Sequence, residues 1–161
     1  MARVYLGLRA EVPPQRERIL EAIRRLKACG VKPLRISPWF SDPSLNNGSI
    51  GLAVEAETTL SPRELFFICQ GVERILGKDS ADPLTPDPIE ISIVLYEDLV
   101  MNEGELRIPY PHLLKRGVVL AALAELVPEV KHPVLGRTIW ELLDELPPER
   151  RPIRSGEITS W

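Results

Sequence analysis

Eight consecutive residues, Ile89-Glu90-Ile91-Ser92-Ile93-Val94-Leu95-Tyr96, restrict the choice of fold more than any other stretch of the chain. Successive side chains of a strand point to opposite faces. Ile89, Ile91, Ile93 and Leu95 are therefore expected to enter one core, while Glu90 and Ser92 turn together to the other face. A carboxylate beside a hydroxyl on a rigid strand offers oxygen ligands of the kind Mg2+ takes, although only one of the two is charged.

The elements around this strand give it a place in a topology. Residues 4–8 read as a strand, and Pro13-Pro14 open a helix with Ile19, Ile23 and Leu26 on one face, ending near Gly30. A second strand is expected over 32–37, a loop over 41–49 from its Pro, Asn and Gly, and a third strand over 50–58 with Leu52, Val54 and Ala56 on one face and Glu55 and Glu57 on the other. Ser61-Pro62-Arg63-Glu64 combines a capping box with proline at the first helical position, ahead of an apolar stripe of Leu65, Ile68, Cys69, Val72 and Ile75. After the strand at 89–96 come an edge or turn at Arg107-Ile108-Pro109-Tyr110-Pro111, an almost wholly apolar helix over 118–127, and a last helix capped by Thr138 and Glu141 with Ile139, Leu142, Leu143 and Leu146 inward. The order predicts an α+β protein: a ferredoxin-like βαββαβ core whose added C-terminal helices complete a three-layer α/β/α sandwich. Residues 1–161 read as one domain, with 147–161 an extended tail.

Composition narrows the function classes. No apolar run is long enough to cross a bilayer, and the amino terminus enters a strand pattern without a signal-peptide layout, so a soluble cytoplasmic protein is expected. Residues 1–35 carry nine Lys and Arg against three acids, and residues 36–106 three against thirteen. A basic first helix facing an acidic middle suits a solvated or internally paired surface better than a nucleic-acid or membrane interface. Cys29 and Cys69 lie inside helical patterns with no neighbouring ligand types, and are expected to be reduced thiols in or near the core.

Five stretches, in order and spacing, resemble the 6-hydroxymethyl-7,8-dihydropterin pyrophosphokinase family of folate biosynthesis. They are Val4-Tyr5-Leu6-Gly7-Leu8, the run from Val54-Glu55-Ala56 through Ser61-Pro62-Arg63-Glu64-Leu65, Ile93-Val94-Leu95-Tyr96, Arg107-Ile108-Pro109, and His132-Pro133-Val134-Leu135-Gly136-Arg137-Thr138. The resemblance implies a kinase-type transferase that moves a pyrophosphoryl group from ATP to a reduced pterin, with two Mg2+ ions held by an Asp-x-Asp pair. Carried over, that pair falls on Glu90 and Ser92. Arg116 matches a phosphate-contacting arginine and Tyr110 takes the place of an active-site histidine; with His112 these are the candidate catalytic residues. Pro43, Gly7, Gly51 and Trp39 are the candidate substrate-binding positions, and Glu73 matches an acid on the second helix.

The departures from the family pattern agree in direction. Gly7-Leu8-Arg9 replaces Gly-Ser-Asn, the aromatics that sandwich the pterin fall on Ser49 and Val118, the following asparagine falls on Gly51, and the segment before the metal strand carries Asp79, Asp82 and Asp87 in place of arginines and a tryptophan. Three readings follow. The first is a pseudoenzyme or impaired member that has lost most Mg2+, ATP and pterin contacts; the second is an active pyrophosphokinase with a rearranged site, using Mg2+ and ATP; the third is a small-molecule or protein-binding module needing neither cofactor. The expected partner is a small ligand, a pterin or its replacement, or under the third reading alternatively a protein, and no reading fixes an oligomeric state.

The 16 prolines, lying mostly between periodic segments, together with few Asn and Gln and many Arg and Glu, point to a thermophile. Calorimetry is expected to give a melting temperature above the mesophile range of about 45–65 °C.

Overall fold

A computed structural model describes residues 1–42, 48–77 and 88–158. Strand β1 (Ala2–Ala10) is followed by helix α1 (Gln15–Ala28), strands β2 (Val31–Ile36), β3 (Trp39–Ser41) and β4 (Ile50–Thr58), helix α2 (Pro62–Ile75), and strand β5 (Glu90–Tyr96). A two-stranded hairpin of β6 (Met101–Glu103) and β7 (Leu106–Ile108) precedes helices α3 (Gly117–Leu126) and α4 (Ile139–Asp144) and a last strand β8 (Ile153–Gly156). The main sheet runs β5-β1-β4-β3-β8, with β2 also on β4, and its pairs are antiparallel. The β5-β1-β4-β2 order with α1 and α2 on one face is the expected ferredoxin-like core. Helices α3 and α4 on the other face complete the three layers.

The two capped helices begin as the sequence predicts. Ser61 and Thr138 each accept from the backbone N–H three residues on, and Glu64 and Glu141 reach back to the cap N–H groups, which satisfies donors the helix leaves open. Val4, Leu6, Leu8, Leu52, Val54 and Ala56 meet Ile19, Ile23 and Leu26 of α1 and Leu65, Cys69 and Val72 of α2 in one core. Cys69 is buried there as expected, whereas Cys29, at the frayed end of α1, is exposed.

Strand β5 departs from simple alternation. Leu6 pairs with Ile93 and Tyr5 with Leu95, so Val94 is an extra residue, a bulge. Ile89, Ile91 and Ile93 enter the core under α1 and α2 as expected, but Leu95 crosses to the opposite core beside Tyr5 and α3. The tail, expected to be extended, is so in part and docks on the body. It forms a short 3-10 turn at Pro148–Arg150 and then pairs as β8 with β3, where Arg16 donates to the Ser155 carbonyl at 2.8 Å and lies 5.3 Å over the Trp39 ring. Otherwise β3 would leave a row of backbone groups unpaired. Among the described residues, no helix is long and apolar enough to cross a membrane.

Helix α3 presses flat on the sheet because two glycines let it. A β-carbon on Gly7 would come within 2.5 Å of Val119, and one on Gly51 within 2.7 Å of both Val118 and the Leu8 carbonyl. Gly71, midway along α2, has open space around it. In urea denaturation, Gly51→Ala is expected to cost about 1–3 kcal/mol through overpacking, while Gly71→Ala gains up to about 1 kcal/mol from helix propensity.

A candidate site around Glu90

Antiparallel pairing of β1 with β5 sets Arg9 opposite Glu90, on the face that α3 covers. The bulge supplies the third member. The Val94 carbonyl accepts the Tyr110 backbone N–H at 3.0 Å, which fixes the segment after β7 so that the Tyr110 hydroxyl donates to Glu90 Oε1 at 3.1 Å. The fourth is Arg116, just before α3, whose Nε and Nη2 lie 3.1 and 3.4 Å from the two carboxylate oxygens. Arg9 approaches the same oxygens through Nε and Nη2, both at 3.4 Å, and its Nη1 reaches Glu11 and, at 3.4 Å, the Ser49 hydroxyl.

Electrostatics lock this cluster in one charge state. Burial alone would raise the Glu90 pKa, but the Arg9 and Arg116 guanidiniums overcome that and hold it at about 2, against an ordinary 4.5. Burial, reinforced by the Glu90 charge, pushes the Tyr110 phenol well above its usual value, so it stays protonated and donates. Arg9, 4% exposed, is buried only because carboxylates meet it.

Glu90 lies on the wall of a cleft of about 430 Å3 between β5, α2 and the β6–β7 hairpin, a volume suited to a small ligand. Ser92, Tyr110, His112, Glu73 and Gln70 share that wall. Glu73 Oε2 accepts the Ile91 backbone N–H at 2.8 Å, and the His112 ring stands edge-on to Tyr110 with centroids 5.7 Å apart. The cleft thus gathers five of the residues singled out from sequence: Glu90, Ser92, Tyr110, His112 and Glu73.

The others fall elsewhere. Gly7 and Gly51 lie beneath α3, and Ser49 and Val118, the expected ring-stacking positions, are buried at 1% and 2% exposure. Trp39 is a core residue, 3% exposed, beneath Arg16. Pro43 and the aspartates at 79, 82 and 87 lie outside the described residues. Arg9, central to the cluster, was noticed in the sequence only as a departure from a motif.

The donor set does not fit Mg2+. A dication at Glu90 would have to displace two guanidiniums and a phenol and then sit against their charge. The second position, Ser92, is neutral and 6% exposed, and its hydroxyl lies 3.4 Å from the Gly7 carbonyl. Among the described residues, no group of three or more His, Cys, Asp or Glu is placed to hold a metal.

The low pKa of Glu90 gives a signed prediction. A carboxyl depressed in the folded state stabilises it fully above about pH 4.5 and loses that contribution as pH falls toward about 2. Glu90→Gln, which removes the charge shared by both guanidiniums and leaves Arg9 with Glu11 alone, is expected to cost about 3 kcal/mol at pH 7. In urea titrations at several pH values, its deficit from the native chain should shrink across that acid window.

Residues 5–128 match the family model for 7,8-dihydro-6-hydroxymethylpterin-pyrophosphokinase (HPPK). Over 149 residues the chain is 32% identical to the 2-amino-4-hydroxy-6-hydroxymethyldihydropteridine pyrophosphokinase of Aquifex aeolicus, covering 90% of this chain and 92% of that one. It is 33% identical to the folic acid synthesis protein fol1 of Schizosaccharomyces pombe over 89% of its own length, spanning 20% of that longer protein. The fold superposes on Plasmodium falciparum HPPK-DHPS, crystallised with pterin and p-hydroxybenzoate, with a TM-score of 0.70 at 13% identity, over 89% of this chain and 41% of that one. The chain belongs to the 7,8-dihydro-6-hydroxymethylpterin-pyrophosphokinase family.

Proposed function

We propose that this family member keeps the scaffold and the cleft beside Glu90 for binding a small ligand without Mg2+, and does not carry out ATP-dependent pyrophosphoryl transfer. The observation that carries the reading is the state of Glu90, whose oxygens are taken by Arg9, Arg116 and Tyr110. In the family's reaction, charge on a triphosphate is offset by metal ions and fixed cations, so their loss costs orders of magnitude in rate. Here the arginines are spent on an internal carboxylate. The burial of Ser49 and Val118, where the resemblance expects the aromatic platform, supports the same reading.

One observation favours an active pyrophosphokinase with a rearranged site. Arg116, which the sequence resemblance matches to a phosphate-contacting arginine, has a side chain 31% exposed next to Glu90. A phosphate that drew Arg116 away from Glu90 would regain that contact.

The two readings part in one assay. The protein is incubated with ATP, 6-hydroxymethyl-7,8-dihydropterin and Mg2+, and AMP is quantified. No AMP above the protein-free control is expected, and calorimetry should show no gain in ATP affinity on adding Mg2+. AMP production that Glu90→Ala abolishes would establish the active reading instead.

A further inference from the structure

On the other side of Tyr110 from the Glu90 cleft lies a second, half-open pocket of about 270 Å3. Leu113, Leu114, Val134 and Leu135 give it an apolar lining, and Leu114, Val134 and Leu135 are 44%, 60% and 46% exposed, more apolar surface than the fold needs to leave in water. The polar side chains on its wall are those of Tyr110, whose hydroxyl is committed to Glu90, and His132.

His132 is 8% exposed. Its Nδ1 accepts two backbone N–H groups, from Val134 at 3.2 Å and Leu135 at 3.1 Å, which fixes the neutral tautomer with the proton on Nε2. Burial pushes the imidazole below its ordinary pKa, in keeping with that neutral form. Among the described residues, Nε2–H has no protein acceptor. The atom is not sealed in protein, so a molecule in the pocket can reach it. The turn Nδ1 holds requires only an acceptor, so the Nε2 donor on an apolar wall is left for something that enters.

We infer that this pocket is a binding site for a small, uncharged, mainly apolar molecule carrying one hydrogen-bond acceptor, such as an aryl or alkyl carbonyl, which takes the His132 Nε2–H while its hydrocarbon body covers Leu113, Leu114, Val134 and Leu135. The volume suits a fragment-sized compound and excludes a nucleotide. The lack of a cation on the wall selects against anions. Because Tyr110 lines both pockets, an occupant here touches the ring whose hydroxyl holds Glu90. The site stands whether or not the Glu90 cleft performs family chemistry.

Acetophenone and ethylbenzene are nearly isosteric and differ in the carbonyl, so they are the probes. Each is titrated into the 15N-labelled protein, and amide shifts are followed. Acetophenone should move Leu113, Leu114, Val134 and Leu135 and bind about fivefold more tightly than ethylbenzene, the worth of one neutral hydrogen bond. Leu114→Trp, at an exposed position, should fill the pocket and abolish binding of both probes. His132→Asp, whose carboxylate can still accept the turn N–H groups and carries no donor, should bring the two affinities together. Equal affinities in the native chain would overturn the hydrogen-bonding ligand class. Shifts confined to other surfaces, or acetophenone binding that survives Leu114→Trp, would overturn the site.

Discussion

The close approach of α3 to the sheet is the contact on which the rest of the molecule depends. It needs residues without side chains at Gly7 and Gly51, because Val119 and Val118 occupy the space a β-carbon would take. Seven consecutive buried residues, Val118 to Ala124, then make the helix a wedge with no polar face. Its start is therefore fixed in position and angle, which places Arg116 beside Glu90. One packing decision thus sets where the ionic cluster forms.

Charges remain on the α3 face of the sheet where neighbouring strands and loops give them partners. Glu90 is one instance. Glu55 is the other: it is 4% exposed and accepts from Arg35 at 2.7 Å, Tyr5 at 3.1 Å and Arg3 at 3.3 Å, and the Arg35 hydrogen bond foremost holds its carboxyl below the usual range. In both clusters one carboxylate is shared by two guanidiniums and a tyrosine, a repeated solution to burying charge beside an apolar helix. The basic start of the chain and its acidic middle, which looked like a surface asymmetry in the sequence, are partly this internal pairing: Arg3, Arg9 and Arg35 come from the first region and Glu55 and Glu90 from the second.

Much of the scaffold was legible because it is written locally. Capping boxes at Ser61 and Thr138, the apolar stripe of α2 and the unbroken apolar run of α3 each act within a few residues, and together they give the layer order. The bulge at Val94 was not legible, since Ile93, Val94 and Leu95 are all apolar and either face would accept them. Arg9 was missed for a related reason. At the end of an apolar strand an arginine reads as solvent-facing, and its burial follows only from its register opposite Glu90, a non-local fact. The strand that the tail pairs with was not legible either, because it depends on an edge at β3 that no local pattern reveals.

The extra residue in β5 also works as a register key. In an ordinary strand, slipping by one position exchanges the two faces wholesale. Here a slipped β5 would carry the Glu90 charge into the layer of Leu6 and Leu8, and would take the Val94 carbonyl away from Tyr110 as well. Both errors are expensive, so this strand has a single tolerable alignment, and the sheet inherits its alignment from a residue that pairs with nothing in β1.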